Sequence, residues 1–108
     1  MQKESLIKLA FSMDIEPAYE KLYRFAQNYV HCLIMKETDN TEELFQCISY
    51  CNSNPQVAAS RTGIAGREHM RLKNWSGYVL KCKDLENLSL EELCYVFGCC
   101  ARFCKAMT

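Results

Sequence analysis

The sequence has few of the residues that interrupt regular secondary structure. It contains two prolines and four glycines in 108 residues. Strand-rich folds need many tight turns, which depend on both residue types, so such folds are disfavoured. No stretch of alternating polar and apolar residues is convincing enough to predict a strand. These absences favour an all-α protein.

Long apolar runs are also missing. The longest, residues 93–101, has nine residues and lies between Glu92 and Arg102. A membrane-spanning helix needs about 20. The apolar stretch at residues 6–13 is short and interrupted by Lys8, so no secretion signal is visible. We therefore expect a cytoplasmic protein that does not engage a membrane.

The chain has no excess of either charge, with 13 basic and 13 acidic residues, which disfavours polyanion binding through overall charge. Any such binding must be local. Residues 1–60 contain five basic and eight acidic residues, and residues 84–108 contain two and four. Residues 61–83 contain six basic residues and one acid, Glu68. The positive charge is thus concentrated in one segment.

Eight cysteines stand out in the composition. Without a secretion signal, and with an ample apolar core, they are expected to be reduced thiols that serve as small core residues. Two pairs with helical spacing, Cys47/Cys51 and Cys100/Cys104, could present four thiolates to zinc. Structural zinc sites usually place such cysteines at turns, whereas these pairs lie on apolar helix stripes. We therefore predict neither a metal nor a cofactor.

Apolar periodicity and capping residues predict a compact bundle of about five helices in a single domain, residues 1–108. Asn40 with Glu43, and Ser89 with Glu92, have the spacing of capping boxes. Gly63 and Gly66 leave open whether the short fourth segment bends, breaks or continues into the next. The predicted helical segments are residues 5–13, 16–36, 41–51, 55–60, 64–83 and 90–107.

The basic segment carries a stripe of side chains that suit nucleic acid. Cationic groups neutralise phosphates, and a tyrosine ring can stack on an unpaired base. An arginine and backbone N–H groups near the helix start could add phosphate contacts. RNA is favoured over DNA because no helix-turn-helix signature is present. The alternative is an ordinary solvated face. The candidate residues are Arg61, Arg67, Arg71, Asn74, Tyr78 and Lys81.

The last predicted helix has more apolar surface than one interface requires, because Tyr95, Cys99 and Phe103 lie outside its main stripe. Either this helix passes through the core, or these residues meet another protein or a second copy. We predict a non-catalytic binding subunit that contacts nucleic acid through the basic helix and protein through this surface. The alternative is a pure protein-interaction module, either an accessory subunit or an inhibitor of a larger assembly.

Arg24 and His31 have the spacing R-x6-H on the polar side of the second predicted helix. This resembles the motif of HEPN ribonucleases, which are small helical proteins and usually dimers. The resemblance implies that His31 acts as general acid/base and Arg24 stabilises the phosphate, although it covers eight residues only. A ribonuclease is therefore the second alternative function.

Overall fold

A computed structural model of the chain describes residues 2–62 and 68–107, with the backbone alone at residues 61 and 62. Within these ranges the chain is helical and contains no strand, which confirms the all-α prediction. The described residues form six α-helices, compared with the bundle of about five that the sequence predicted. They are α1 Lys3–Ser12, α2 Glu20–Met35, α3 Glu42–Ser53, α4 Pro55–Thr62, α5 His69–Lys81 and α6 Leu90–Ala106.

The described residues also include two short 3₁₀ helices, Pro17–Tyr19 before α2 and Lys83–Leu85 after α5. Pro17 opens the first of them, where its missing N–H leaves no donor unpaired. Over the part of the chain described, no helix is both long and apolar enough to cross a bilayer.

The start of α6 has the predicted capping box. The Ser89 hydroxyl accepts the Glu92 N–H at 3.2 Å, and the Glu92 carboxylate accepts the Ser89 N–H at 2.9 Å. The box predicted at Asn40 and Glu43 is not formed. Asn40 lies two residues before the start of α3, and its side-chain oxygen accepts the Glu42 N–H at 2.9 Å instead. Asn40 therefore makes a local turn rather than a reciprocal cap.

The end of α2 is closed by a residue in the left-handed region, Glu37, with φ of 61°. The Glu37 N–H donates to the Ile34 carbonyl at 2.9 Å, and the Thr38 N–H donates to the Leu33 carbonyl at 3.4 Å. This pair of bonds is the Schellman motif, a position that glycine usually occupies.

Helices α2 and α6 form the largest interface among the described helices, and α1 also packs on α6. Helix α6 therefore passes through the core, which was one of the two outcomes left open by the sequence. Helices α3, α4 and α5 form a second group. The two groups meet where the Trp75 ring packs edge-on against the Tyr23 ring, with centroids 5.6 Å apart. Both side chains are fully buried.

Candidate nucleic-acid interface

Helix α5 has one buried and one exposed side. Leu72, Trp75, Ser76 and Val79 are buried, as an amphipathic helix requires. The predicted basic stripe is turned toward solvent over part of its length. Arg71, Asn74 and Lys81 are exposed, whereas Tyr78 is half-buried. The stripe residues within the described part of the chain therefore lie together on one helix.

Two of the six candidate residues lie wholly or partly outside the described part of the chain. Arg67 lies outside the described residues, and so does the side chain of Arg61. Their predicted phosphate contacts, and those of the backbone N–H groups at residues 63–66, stay predictions.

Arg71 stands at the N-terminal end of α5. Its guanidinium contacts the Glu68 carboxylate at 3.1 Å, and the Arg71 side chain is 56% exposed. An ion pair this exposed contributes about 0–1 kcal/mol, because water competes for both groups. Glu68 therefore holds the Arg71 guanidinium only weakly.

The side chain of Tyr78 is fixed by a hydrogen bond to a distant part of the chain. Its hydroxyl oxygen accepts the backbone N–H of Asp14, on the connection between α1 and α2, at 2.9 Å. Burial, followed by the neighbouring Cys82 thiol, raises the pKa of Tyr78 to about 12. Only the exposed part of the ring is left for stacking on a base.

A cavity of about 290 Å³ lies beside Arg71, at the junction of the 3₁₀ turn before α2, the start of α5 and the end of α6. It brings two further cations, Lys21 and Lys105, to the same place as Arg71. Neither lysine was predicted from the sequence, because the two are far apart in the chain and belong to no local pattern. The cavity is lined by Pro17, Ala18, Glu20, Lys21, Leu22, Glu68, Arg71 and Lys105.

The two acids of this cavity are both engaged with arginines. Glu20 lies 4.0 Å from Arg24, and Glu68 pairs with Arg71. Pro17, Ala18 and Leu22 supply the apolar part of the lining. The cavity thus combines three basic groups from three helices with an apolar wall.

The predicted protein-contact residues have different environments. Cys99 is buried, and Tyr95 and Phe103 are half-buried. The Phe103 ring stacks on the Phe11 ring of α1, with centroids 4.1 Å apart and the planes at 18°. Phe11 is 65% exposed, and Met107, four residues beyond Phe103, is 61% exposed. The exposed apolar surface therefore lies at the C-terminal end of the predicted stripe.

Arg24 and His31 lie on α2, about 10 Å apart along its axis. His31 is exposed, and the Arg24 side chain is partly exposed beside Glu20. Nothing in these positions brings the two groups to one reaction centre within the chain, and the ribonuclease stays a prediction.

All eight cysteines are free thiols, and four of them, Cys51, Cys99, Cys100 and Cys104, are buried. Among residues 2–60 and 68–107, no three potential ligands of the types His, Cys, Asp and Glu are grouped as a metal site would require. The Cys100 thiol instead points to the Ala10 carbonyl at 3.8 Å and to the Met13 sulfur at 3.7 Å. Cys100 thus packs in the core between α6 and α1.

No protein-family model matches the chain, and comparison with curated proteins and with solved structures also finds no match. Any function must therefore be inferred from the geometry and charge of the residues themselves.

Proposed function

We propose that this protein is a small non-catalytic binding subunit that contacts nucleic acid, with RNA preferred, through the exposed face of α5. The face consists of Arg71, Asn74 and Lys81. The cavity beside Arg71 extends it with Lys21 and Lys105. The observation that supports the proposal is this convergence of three cations from three helices.

The charge arrangement suits a phosphate backbone. Each cation that contacts a phosphate releases condensed counterions, which gives binding a steep salt dependence. The ion pair between Arg71 and Glu68 is weak because the Arg71 side chain is 56% exposed, so Glu68 opposes the binding of a phosphate little.

The length of the exposed face of α5 also suits a nucleic-acid strand rather than a single anion. Arg71 and Lys81 are ten residues apart on α5, which corresponds to about 15 Å along the helix. Asn74 lies between them and supplies an amide that can bond to a phosphate or to a base edge. The half-exposed ring of Tyr78 follows one turn later. A single strand lying along α5 would reach several of these groups at once.

The preference for RNA follows from the absence of any helix-turn-helix signature and from the way single strands are bound. Single-stranded RNA is usually recognised through phosphate contacts combined with stacking on aromatic rings. Tyr78 is the aromatic residue of the stripe, and its ring is half-buried.

Fluorescence anisotropy with labelled single-stranded and duplex RNA and DNA, at two salt concentrations, tests the proposal. The first variant is Arg71→Glu/Lys81→Glu, and the second is Lys21→Glu. Lys36→Glu is the matched control for the second, because Lys36 is exposed at the other end of α2, about 22 Å from Lys21 along the axis. Circular dichroism confirms that each variant is folded.

We expect salt-sensitive binding that is reduced at least tenfold in the double variant, reduced in Lys21→Glu and retained in Lys36→Glu. Loss of two or more phosphate contacts should also lower the slope of log affinity against log salt by about 1–2. No binding at low salt, or equal losses in Lys21→Glu and Lys36→Glu, would exclude this site.

A second candidate is the protein-interaction module, as an accessory subunit or an inhibitor of a larger assembly. The stacked pair Phe11–Phe103 and the nearby Met107 favour it, because exposed aromatic and methionine side chains are typical of protein contacts. Sedimentation equilibrium of the wild type and of Phe11→Ser tests self-association at this surface. A concentration-dependent dimer that is lost in Phe11→Ser would support it, whereas a monomer in both would exclude self-association there.

A further inference from the structure

The cavity beside Arg71 lies at one end of the exposed face of α5. The helix begins at His69 and ends at Lys81, so Arg71 belongs to its first turn. Arg71 and Glu68, which directly precedes the helix, both line the cavity. A strand that follows α5 from Lys81 toward Arg71 therefore arrives at this cavity.

The charges at the cavity are more positive than one internal phosphate requires. The described residues that line it include three basic and two acidic side chains, namely Lys21, Arg71, Lys105, Glu20 and Glu68. The Arg24 guanidinium lies 4.0 Å from the Glu20 carboxylate, so a fourth basic group stands beside the cavity. Four basic groups therefore face two acids. A phosphodiester carries one negative charge, whereas a phosphomonoester carries about −1.5 to −2 at pH 7. The positive excess matches the phosphomonoester.

The arrangement of the cations also suits a terminal phosphate. Lys21 lies at the start of α2, Arg71 at the start of α5 and Lys105 near the end of α6, so the three groups approach from different directions. A phosphomonoester offers three acceptor oxygens, whereas an internal phosphodiester offers two that are not bonded to carbon. A terminal group can also enter a recess with its strand on one side only.

The size and the apolar wall of the cavity are consistent with one terminal nucleotide. Its volume of about 290 Å³ is at the lower end of ligand sites, which span about 300–1,000 Å³. Pro17, Ala18 and Leu22 form the apolar part of the lining. They offer a surface to the sugar or base that carries the phosphate, while the cations hold the phosphate itself.

We propose that the cavity beside Arg71 binds the terminal phosphomonoester of a nucleic-acid strand, so that the protein recognises a phosphorylated strand end. This inference rests on the proposed function, because the strand that ends in the cavity is the one that lies along α5. Lys21, Arg71 and Lys105 contact the phosphate oxygens. A 5′-phosphate and a 3′-phosphate present the same chemistry to these groups, and the experiment separates them.

Fluorescence anisotropy with one single-stranded RNA sequence in four forms tests this inference. Three forms have the same length and carry a 5′-phosphate, a 3′-phosphate or hydroxyls at both ends. The fourth has hydroxyl ends and is two nucleotides longer, so it adds about the charge of one terminal phosphate as internal phosphodiesters. The fluorophore is attached to an internal base, which leaves both ends free to enter the cavity.

We expect one phosphorylated form to bind wild-type protein about tenfold more tightly than the hydroxyl form of equal length, because charge-assisted hydrogen bonds to a phosphate are strong. The longer RNA should gain about twofold at most. The informative quantity is the ratio of the two affinities. Lys21→Gln and Lys105→Gln should each reduce this ratio to about threefold or less. Lys81→Gln is the matched control, because it removes the same charge at the other end of α5. It should weaken binding of every form and leave the ratio unchanged.

The possible failures can be told apart. Equal affinities for the three forms of equal length would overturn the terminal-phosphate site and leave binding along α5 intact. The same gain from two added nucleotides would overturn it as well, because charge alone would then explain the effect. A ratio that falls as far in Lys81→Gln as in Lys105→Gln would exclude the cavity as the place of recognition. No binding of any form at low salt would overturn the proposed function, and this inference with it.

Discussion

The Tyr78 hydroxyl accepts the backbone N–H of Asp14 at 2.9 Å, which ties α5 to the connection between α1 and α2. The backbone carbonyl of Asp14 accepts a hydrogen bond from the Tyr23 hydroxyl at 2.8 Å. Asp14 is therefore held through both of its backbone polar groups by tyrosines from two helices. This connection also leads into Pro17 and the cavity beside Arg71, so the two hydrogen bonds fix the frame of the proposed site.

The first prediction concerns the hydrogen bond from the Asp14 N–H to the Tyr78 hydroxyl. Tyr78→Phe should lower the free energy of unfolding by about 1–2 kcal/mol, because the partly buried Asp14 N–H loses its partner. Urea denaturation followed by the fluorescence of the single, buried Trp75 measures it. Tyr50→Phe is the control, since Tyr50 is exposed on α3, and should change stability by less than about 0.5 kcal/mol. Equal effects of the two substitutions would contradict the role assigned to Tyr78.

Tyr78→Phe also separates folding from binding. The phenylalanine keeps the ring that could stack on a base and loses only the hydroxyl that serves the fold. We therefore expect nucleic-acid affinity to be unchanged under conditions where the variant is fully folded.

The second prediction concerns alkaline pH. The pKa of Tyr78 is raised to about 12 in the folded chain, above the value of about 10 for an unfolded one. The unfolded state therefore loses its proton first, so this contribution to stability is complete below pH 10 and is lost as pH rises toward 12. Burial raises the pKa of Tyr23 and Cys100 as well, which acts in the same direction.

The urea midpoint should accordingly fall between pH 10 and pH 12, and fall less in Tyr78→Phe than in the wild type. A midpoint that stays constant over this interval would show that these groups do not titrate with folding.

Much of the fold was predictable from local pattern. Scarce proline and glycine, together with apolar periodicity, predicted an all-α chain, and Ser89 with Glu92 marked the start of α6 correctly. The capping box at Asn40 failed because α3 begins at Glu42, and sequence spacing does not fix a helix start to one residue.

The site was harder to predict because its geometry depends on distant residues. Helical spacing placed Tyr78 in the basic stripe, but its partner Asp14 is 64 residues away and has no local signal. Lys21 and Lys105 join Arg71 only through packing of three helices. Cys99 is buried rather than presented, because α1 and α2 both pack on α6.

The third prediction concerns the end of α2. Glu37→Gly should stabilise the protein by about 0.5–1 kcal/mol, because glycine adopts the positive φ of 61° without the steric cost of a Cβ atom. Part of the gain is offset by the greater freedom of glycine in the unfolded chain. Lys36→Gly is the control. Lys36 has φ of −82°, so glycine relieves no strain there and should destabilise. A loss of stability in Glu37→Gly would contradict the Schellman interpretation.

The fourth prediction concerns the contact between Gly98 of α6 and Gln27 of α2. A Cβ atom added at Gly98 would lie 2.6 Å from the Gln27 side-chain nitrogen, so that amide must move aside. Gly98→Ala also gains about 1 kcal/mol from helix propensity, since alanine is favoured over glycine inside a helix. In the wild-type background the two effects oppose each other, and the net change in stability should be small.

Substituting Gln27 removes the side chain that opposes the gain in helix propensity. In the Gln27→Ala background the amide that obstructs the new methyl group is absent, so Gly98→Ala should stabilise by about 0.5–1 kcal/mol. The double-mutant cycle then gives a coupling energy of at least about 0.5 kcal/mol, measured from urea midpoints of the four proteins. Additive effects would mean that the Gln27 side chain moves aside without a cost in stability. The spacing of α2 and α6 would then be set by the buried apolar side chains around Gly98 alone.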